Sequence, residues 1–119
     1  MYKIDGTTIY LIRGDTLIVQ LGIKQKNGQN VQTYTPAPTD IVRFTLKHSD
    51  LTVNKTAYLD KSPLVEKIIP TDTLILRLES TDTKDLDFGK YDYNVEITRE
   101  DNIVDTFLSG KLYLKAEVD

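Results

Sequence analysis

Hydrophobic and polar residues alternate with a period of two along several stretches of this chain, the pattern of strands with one buried and one wet face. In the clearest stretch Tyr91, Tyr93, Val95 and Ile97 share one side, and Asp92, Asn94, Glu96 and Thr98 the other. Leu17, Val19, Leu21 and Ile23 alternate against Ile18, Gln20, Gly22 and Lys24 in a strand over 16–25. Val42, Phe44 and Leu46 point inward from a strand over 40–47, and Leu74, Leu76 and Leu78 from one over 73–79. T-I-Y-L-I at 8–12 reads as a short first strand. Residues 103–118 read as a long last strand, with a bulge at Ser109-Gly110 that re-phases Leu112 and Leu114 to the core. Weaker alternation over 53–59 and 64–69 suits edge strands. Asn27-Gly28 is a hairpin signal followed by a short polar return over 31–35. Pro36-Ala37-Pro38, Asp60-Lys61-Ser62-Pro63, Pro70 and Glu100-Asp101-Asn102 mark loops and turns.

Before the strand at 90–98 the chain is too polar to pair. Thr81 or Asp82 can cap a single helical turn near 82–88, and Gly89 then gives the sharp exit into G-x-Y-x-Y. A capped turn leading into a strand that begins with Tyr is the corner of immunoglobulin-like sandwiches, where the Tyr hydroxyl bonds back to the preceding loop. Asp82, Gly89 and Tyr91 are the predicted structural corner. The predicted fold is all-β: an immunoglobulin-like antiparallel β-sandwich of seven to nine strands, forming a single domain over residues 1–119. A chain of this length buries roughly two thirds of its unfolded surface, enough for one core.

The net charge of -3, from 15 basic and 18 acidic residues, argues against nucleic acid, because the cations are scattered and not clustered. The absence of Cys removes thiol nucleophiles and thiolate metal sites, and leans toward assembly in a reducing cytoplasm. No apolar run reaches membrane-spanning length, so no membrane partner is expected. Neither cofactor nor metal is expected.

Candidate chemistry is sparse. Arg13-Gly14-Asp15 sits between two apolar strands, where turn chemistry explains it better than integrin binding. Asn54-Lys55-Thr56 is a chance glycosylation sequon in a chain whose start, M-Y-K-I-D-G, has no signal-peptide pattern. His48 is the only histidine and reads as a solvated turn residue at a strand end. Asp82, Asp85, Asp87 and Asp92 crowd one segment, but their spacing does not match an EF-hand loop, and Asp82 reads better as a helix cap and the rest as a solvated face than as calcium ligands. No nucleophile motif, carboxylate pair in a cleft or phosphate loop is present, so the chain is read as no enzyme.

The landmarks I-Y-L-I-R-G-D-T, K-Q-K-N-G, D-I-V-R-F-T-L-K and D-T-K-D-L-D-F-G-K-Y-D-Y-N-V lie in order along the chain. Together they resemble small β-sandwich proteins of phage and prophage tail and baseplate regions, in particular the N-terminal domain of the baseplate upper protein family. The resemblance spans Ile9 to about Val118, with Arg13–Thr16 and Asp82–Tyr93 matching best. Baseplate upper proteins continue past the sandwich, whereas this sequence stops at Asp119. The resemblance implies a tail, baseplate or neck component that acts by assembly with other virion proteins or copies of itself. It also implies a place in the virion after assembly in the host bacterial cytoplasm. The alternative is a ligand-binding sandwich, a carbohydrate-binding or adhesin-like module, displaying some of Tyr2, Tyr10, Tyr34, Tyr58 and Tyr113.

Overall fold

The structure, a computed structural model, describes residues 2–27, 30–49 and 63–116, with the backbone alone over 24–27 and 30–32. The described strands are β1 (Tyr2–Asp5), β2 (Thr8–Ile12), β3 (Leu17–Gln20), β4 (Lys24–Asn27), β5 (Asn30–Thr33), β6 (Ile41–His48), β7 (Val65–Ile69), β8 (Ile75–Leu78), β9 (Gly89–Thr98) and β10 (Val104–Lys115). One helical turn, α1 (Ser80–Thr83), lies between β8 and β9. A six-stranded sheet has the order β1-β2-β10-β9-β6-β7, and β3-β8 and β4-β5 form two-stranded sheets. β6, β9 and β10 stand where strands C, F and G of an immunoglobulin sandwich stand, and β3 and β8 where B and E stand. Among the described residues the two packed layers hold eight strands, and β4-β5 is an additional hairpin. One feature departs from a purely antiparallel arrangement: β2 and β10 pair in parallel.

The core lies between the layers. Leu17, Leu76 and Leu78 from the small sheet pack into one cluster with Leu11, Val42, Phe44, Leu46, Tyr91, Tyr93, Val95, Ile97, Leu112 and Leu114 from the large one. The alternation therefore had the right register, because a one-residue slip would have turned this whole set outward. Val19, Leu21 and Leu74 reach only the margin of the core. Leu74 precedes β8 in a left-handed conformation (φ 54°), where its N–H bonds Pro70 O at 2.8 Å to close the turn after β7.

Several boundaries differ from the pattern. The stretch 16–25 is not one strand: β3 ends at Gln20, Ile23 is buried, and β4 begins at Lys24. β1 was not foreseen, because all four of its residues are exposed and show no buried face. Asp40 does not begin β6; its carboxylate accepts from Ala37 N at 2.9 Å and Tyr34 Oη at 2.8 Å, which fixes the proline loop. The irregularity in β10 falls at Thr106–Leu108, whereas Gly110 keeps register with Tyr93. Among the described residues β7 is an edge strand, as its weak alternation implied; the strand expected over 53–59 and the Asn54 sequon lie outside the described residues.

The corner forms with a shifted cap. α1 begins after Glu79, and Asp82 is its third residue, accepting the Glu79 N–H at 2.7 Å. Asp82 thus closes the turn from inside, and Thr81 is exposed. The predicted turn over 82–88 overshoots, since the helical part ends at Thr83. Gly89 has φ 136°, a conformation that resists any side chain. Tyr91 is buried and its hydroxyl donates to Asp87 O at 2.5 Å, the bond expected of the corner. Because Asp87 is exposed, water can partly replace the lost donor in a Tyr91→Phe variant. We expect that variant to lose about 1–2 kcal/mol of unfolding free energy in chemical denaturation. No loss would remove the corner from the list of stabilising devices.

Candidate functional site

The outer face of the six-stranded sheet gathers aromatic, charged and aliphatic side chains of the described residues. Pairing register orders it into rows. At one end Lys3, Tyr10, Tyr113 and Lys90 lie side by side across β1, β2, β10 and β9. The Tyr10 and Tyr113 rings stack, with centres 5.2 Å apart and planes 12° from parallel. Lys115 Nζ lies 4.9 Å from the centre of the Tyr10 ring and Lys90 Nζ 5.8 Å from that of Tyr113. Each ring thus already has another ring and an ammonium group beside it, a satisfied cation–π arrangement. The next row holds Lys47, Asp92 and Lys111, with Lys111 bonded to Asp92.

The other end is apolar. Ile41, Thr98 and Val104 form one row across β6, β9 and β10, and Ile68 lies in the next row beside Arg43. Ile68 is 62% exposed, Val104 54% and Ile41 44%. Large aliphatic side chains gathered on a wet sheet face are characteristic of interaction surfaces. Alternation along single strands does not reveal this patch, because it sorts residues strand by strand and leaves the outward apolar ones unassigned. Ile41, Ile68 and Val104 come together only through the order β7-β6-β9-β10.

The residues singled out from sequence fall mostly into structural roles. Arg13-Gly14-Asp15 folds back on the corner. Gly14, at φ 87°, donates its N–H to Thr83 Oγ1 at 3.1 Å; Arg13 Nη1 donates to Leu86 O at 3.2 Å and its guanidinium lies 3.9 Å from the Phe88 ring centre. The tripeptide clamps the β2–β3 turn to the α1 loop. His48 is not a solvated turn residue: it ends β6 on the inward side, with its ring centre 5.9 Å from that of Tyr91. Of the crowded carboxylates, Asp82 pairs with Lys67 at 2.8 Å and Asp92 with Lys111. Among the described residues no three His, Cys, Asp or Glu side chains converge as metal ligands. Of the candidate display tyrosines, only Tyr10 and Tyr113 stack together. Tyr2 donates to Ile18 O at 2.8 Å, Tyr34 donates to Asp40 beneath Arg99, and Tyr58 lies outside the described residues.

A second buried phenol joins the corner. Tyr93 Oη donates to Thr7 O at 2.5 Å and so holds the β1–β2 turn against β9. Burial pushes the Tyr93 phenol above the ordinary tyrosine value. It does the same for Tyr91, reinforced by the Asp87 carboxylate and opposed by Arg13. The unfolded chain therefore ionises first as pH rises. The contribution of both phenols to stability is complete below the unfolded value of about 10 and is lost as pH climbs through the raised folded values. Denaturant midpoints should fall above about pH 10. The fall should be shallower in a Tyr91→Phe/Tyr93→Phe variant, and equal slopes would contradict the assignment.

The chain matches no protein-family model, no curated protein and no solved structure with which it was compared.

Proposed function

We propose that this chain is a non-enzymatic structural protein of a phage or prophage particle, a tail, baseplate or neck component that acts through protein–protein assembly. The phage setting rests on the landmark resemblance. The observation that carries the assembly reading is the apolar end of the outer face, where Ile41, Ile68 and Val104 stand exposed beside Arg43 and Glu96. Exposed aliphatic side chains with polar residues among them fit a protein-binding surface. Its occupant is a neighbouring virion protein with a complementary apolar surface, met during assembly in the host cytoplasm.

Co-expression with the products of the genes flanking its own tests this. The wild type should capture one of them, and Ile68→Glu/Val104→Glu should reduce capture at least about tenfold, since buried interface charges are costly. Both sites are solvent-facing, so melting temperature should change little. Undiminished capture by the variant would move the interface off this face.

The ligand-binding alternative keeps one observation, the juxtaposition of Tyr10 and Tyr113 with Lys3, Lys90 and Lys115. Aromatic faces are what sugars stack on, and here they are engaged within the sheet. A specific glycan-array hit lost in Tyr10→Ala would favour that alternative.

A further inference from the structure

The two edges of the six-stranded sheet are treated differently. On β7, Lys67 points to the inner side and reaches Asp82 at 2.8 Å, an inward charge of the kind that blunts an edge against pairing. Among the described residues β1 has no such guard. Its inward residues are Tyr2 and Ile4, opposite Leu11 and Ile9 of β2, and Ile4 is 41% exposed. Its outward residues are Lys3 and Asp5.

The free backbone groups of β1 are fixed by its hairpin. Asp5 pairs with Thr8 across a two-residue turn, so this closing pair is hydrogen-bonded to β2. Bonding alternates along an antiparallel ladder, so Lys3 also spends its N–H and C=O on β2. Ile4 therefore directs both backbone groups out of the sheet. An antiparallel neighbour can exchange two bonds with Ile4.

We propose that this neighbour is β1 of a second copy, paired antiparallel about a two-fold axis at Ile4, so that two six-stranded sheets become continuous. The proposal rests on the assembly reading above and names one of its partners. In this register Ile4 meets Ile4 of the partner subunit on the inner side. Lys3 meets the partner subunit's Asp5, and Asp5 the partner subunit's Lys3, on the outer side. Sliding by two residues either way keeps the faces matched but opposes Lys3 to its own copy, or Asp5 to its own copy. Like charges directly opposed disfavour pairing, so charge selects the Ile4-centred register. The interface is self-complementary, as a two-fold contact requires.

Sedimentation equilibrium on the full chain tests this with a charge exchange. The wild type should dimerise, more weakly at high salt. Lys3→Glu and Asp5→Lys each replace two attractions by two repulsions, and each alone should weaken self-association at least about tenfold. An equimolar mixture of the two variants should dimerise again, because each introduced charge then faces its opposite. That recovery also shows that both variants are folded. A wild type that stays monomeric overturns the proposal and makes Lys3 an edge guard. Dimerisation unchanged in both variants overturns it too, by placing the contact elsewhere, while leaving the assembly reading intact. The assembly reading itself fails separately, if the chain neither self-associates nor captures a flanking gene product.

Discussion

Phe44→Ala is expected to lower the free energy of unfolding by about 3–5 kcal/mol. Phe44 is fully buried at the middle of β6, and its ring stacks on Tyr93 with centres 5.6 Å apart. It faces Leu17, Leu76 and Leu78 in the shared cluster, so it bridges the layers. Truncation removes the ring's transfer free energy and leaves a cavity that β6, bonded on both sides by β7 and β9, cannot close. The denaturant midpoint should fall with the slope unchanged. A loss under about 1 kcal/mol would mean that the layers do not meet at Phe44.

Gly110→Ala is expected to cost about 2–3 kcal/mol for the addition of one methyl group. A Cβ at Gly110 would stand 2.3 Å from Thr7 O and 3.0 Å from both Cε2 and Oη of Tyr93. Thr7 O is backbone and cannot rotate away, so the β1–β2 turn must lift off β9 and the Tyr93–Thr7 bond must open. Gly22→Ala is the control: a Cβ there meets nothing within 4 Å, and stability should barely change. Equal effects of the two substitutions would contradict the close approach at Gly110. If Gly110→Ala lifts the β1–β2 turn, it should also weaken any pairing through β1.

These two sites differ in how far the sequence reveals them. Phe44 was legible, since burial on a strand has a period of two and Val42, Phe44 and Leu46 display it. The Tyr91 bond was legible because its acceptor, Asp87, lies four residues away. The Tyr93 bond was not, because Thr7 is 86 residues away and depends on β2 crossing to pair in parallel with β10. Gly110 carried a visible signal with the wrong meaning: a glycine in a strand marks either a bulge or a close approach, and local pattern does not separate them. β1 lacks a buried face, yet Gly6, just after Asp5 and ahead of Thr8–Ile12, was a usable turn signal. The α1 cap was misplaced because Glu79 is a poor capping type, and the carboxylate that closes the turn belongs to the third helical residue. Among the described residues, the apolar patch and the unguarded edge are properties of strand order, to which the periodicity of single strands is blind.

The central claim is that this sandwich works by being packed against other proteins. The most direct measurement is light scattering after size exclusion, on the chain alone across a concentration series and then mixed with each flanking gene product. The account predicts a mass that rises from monomer to dimer with concentration, and a distinct complex with at least one flanking product. A constant monomer mass in every mixture would contradict it.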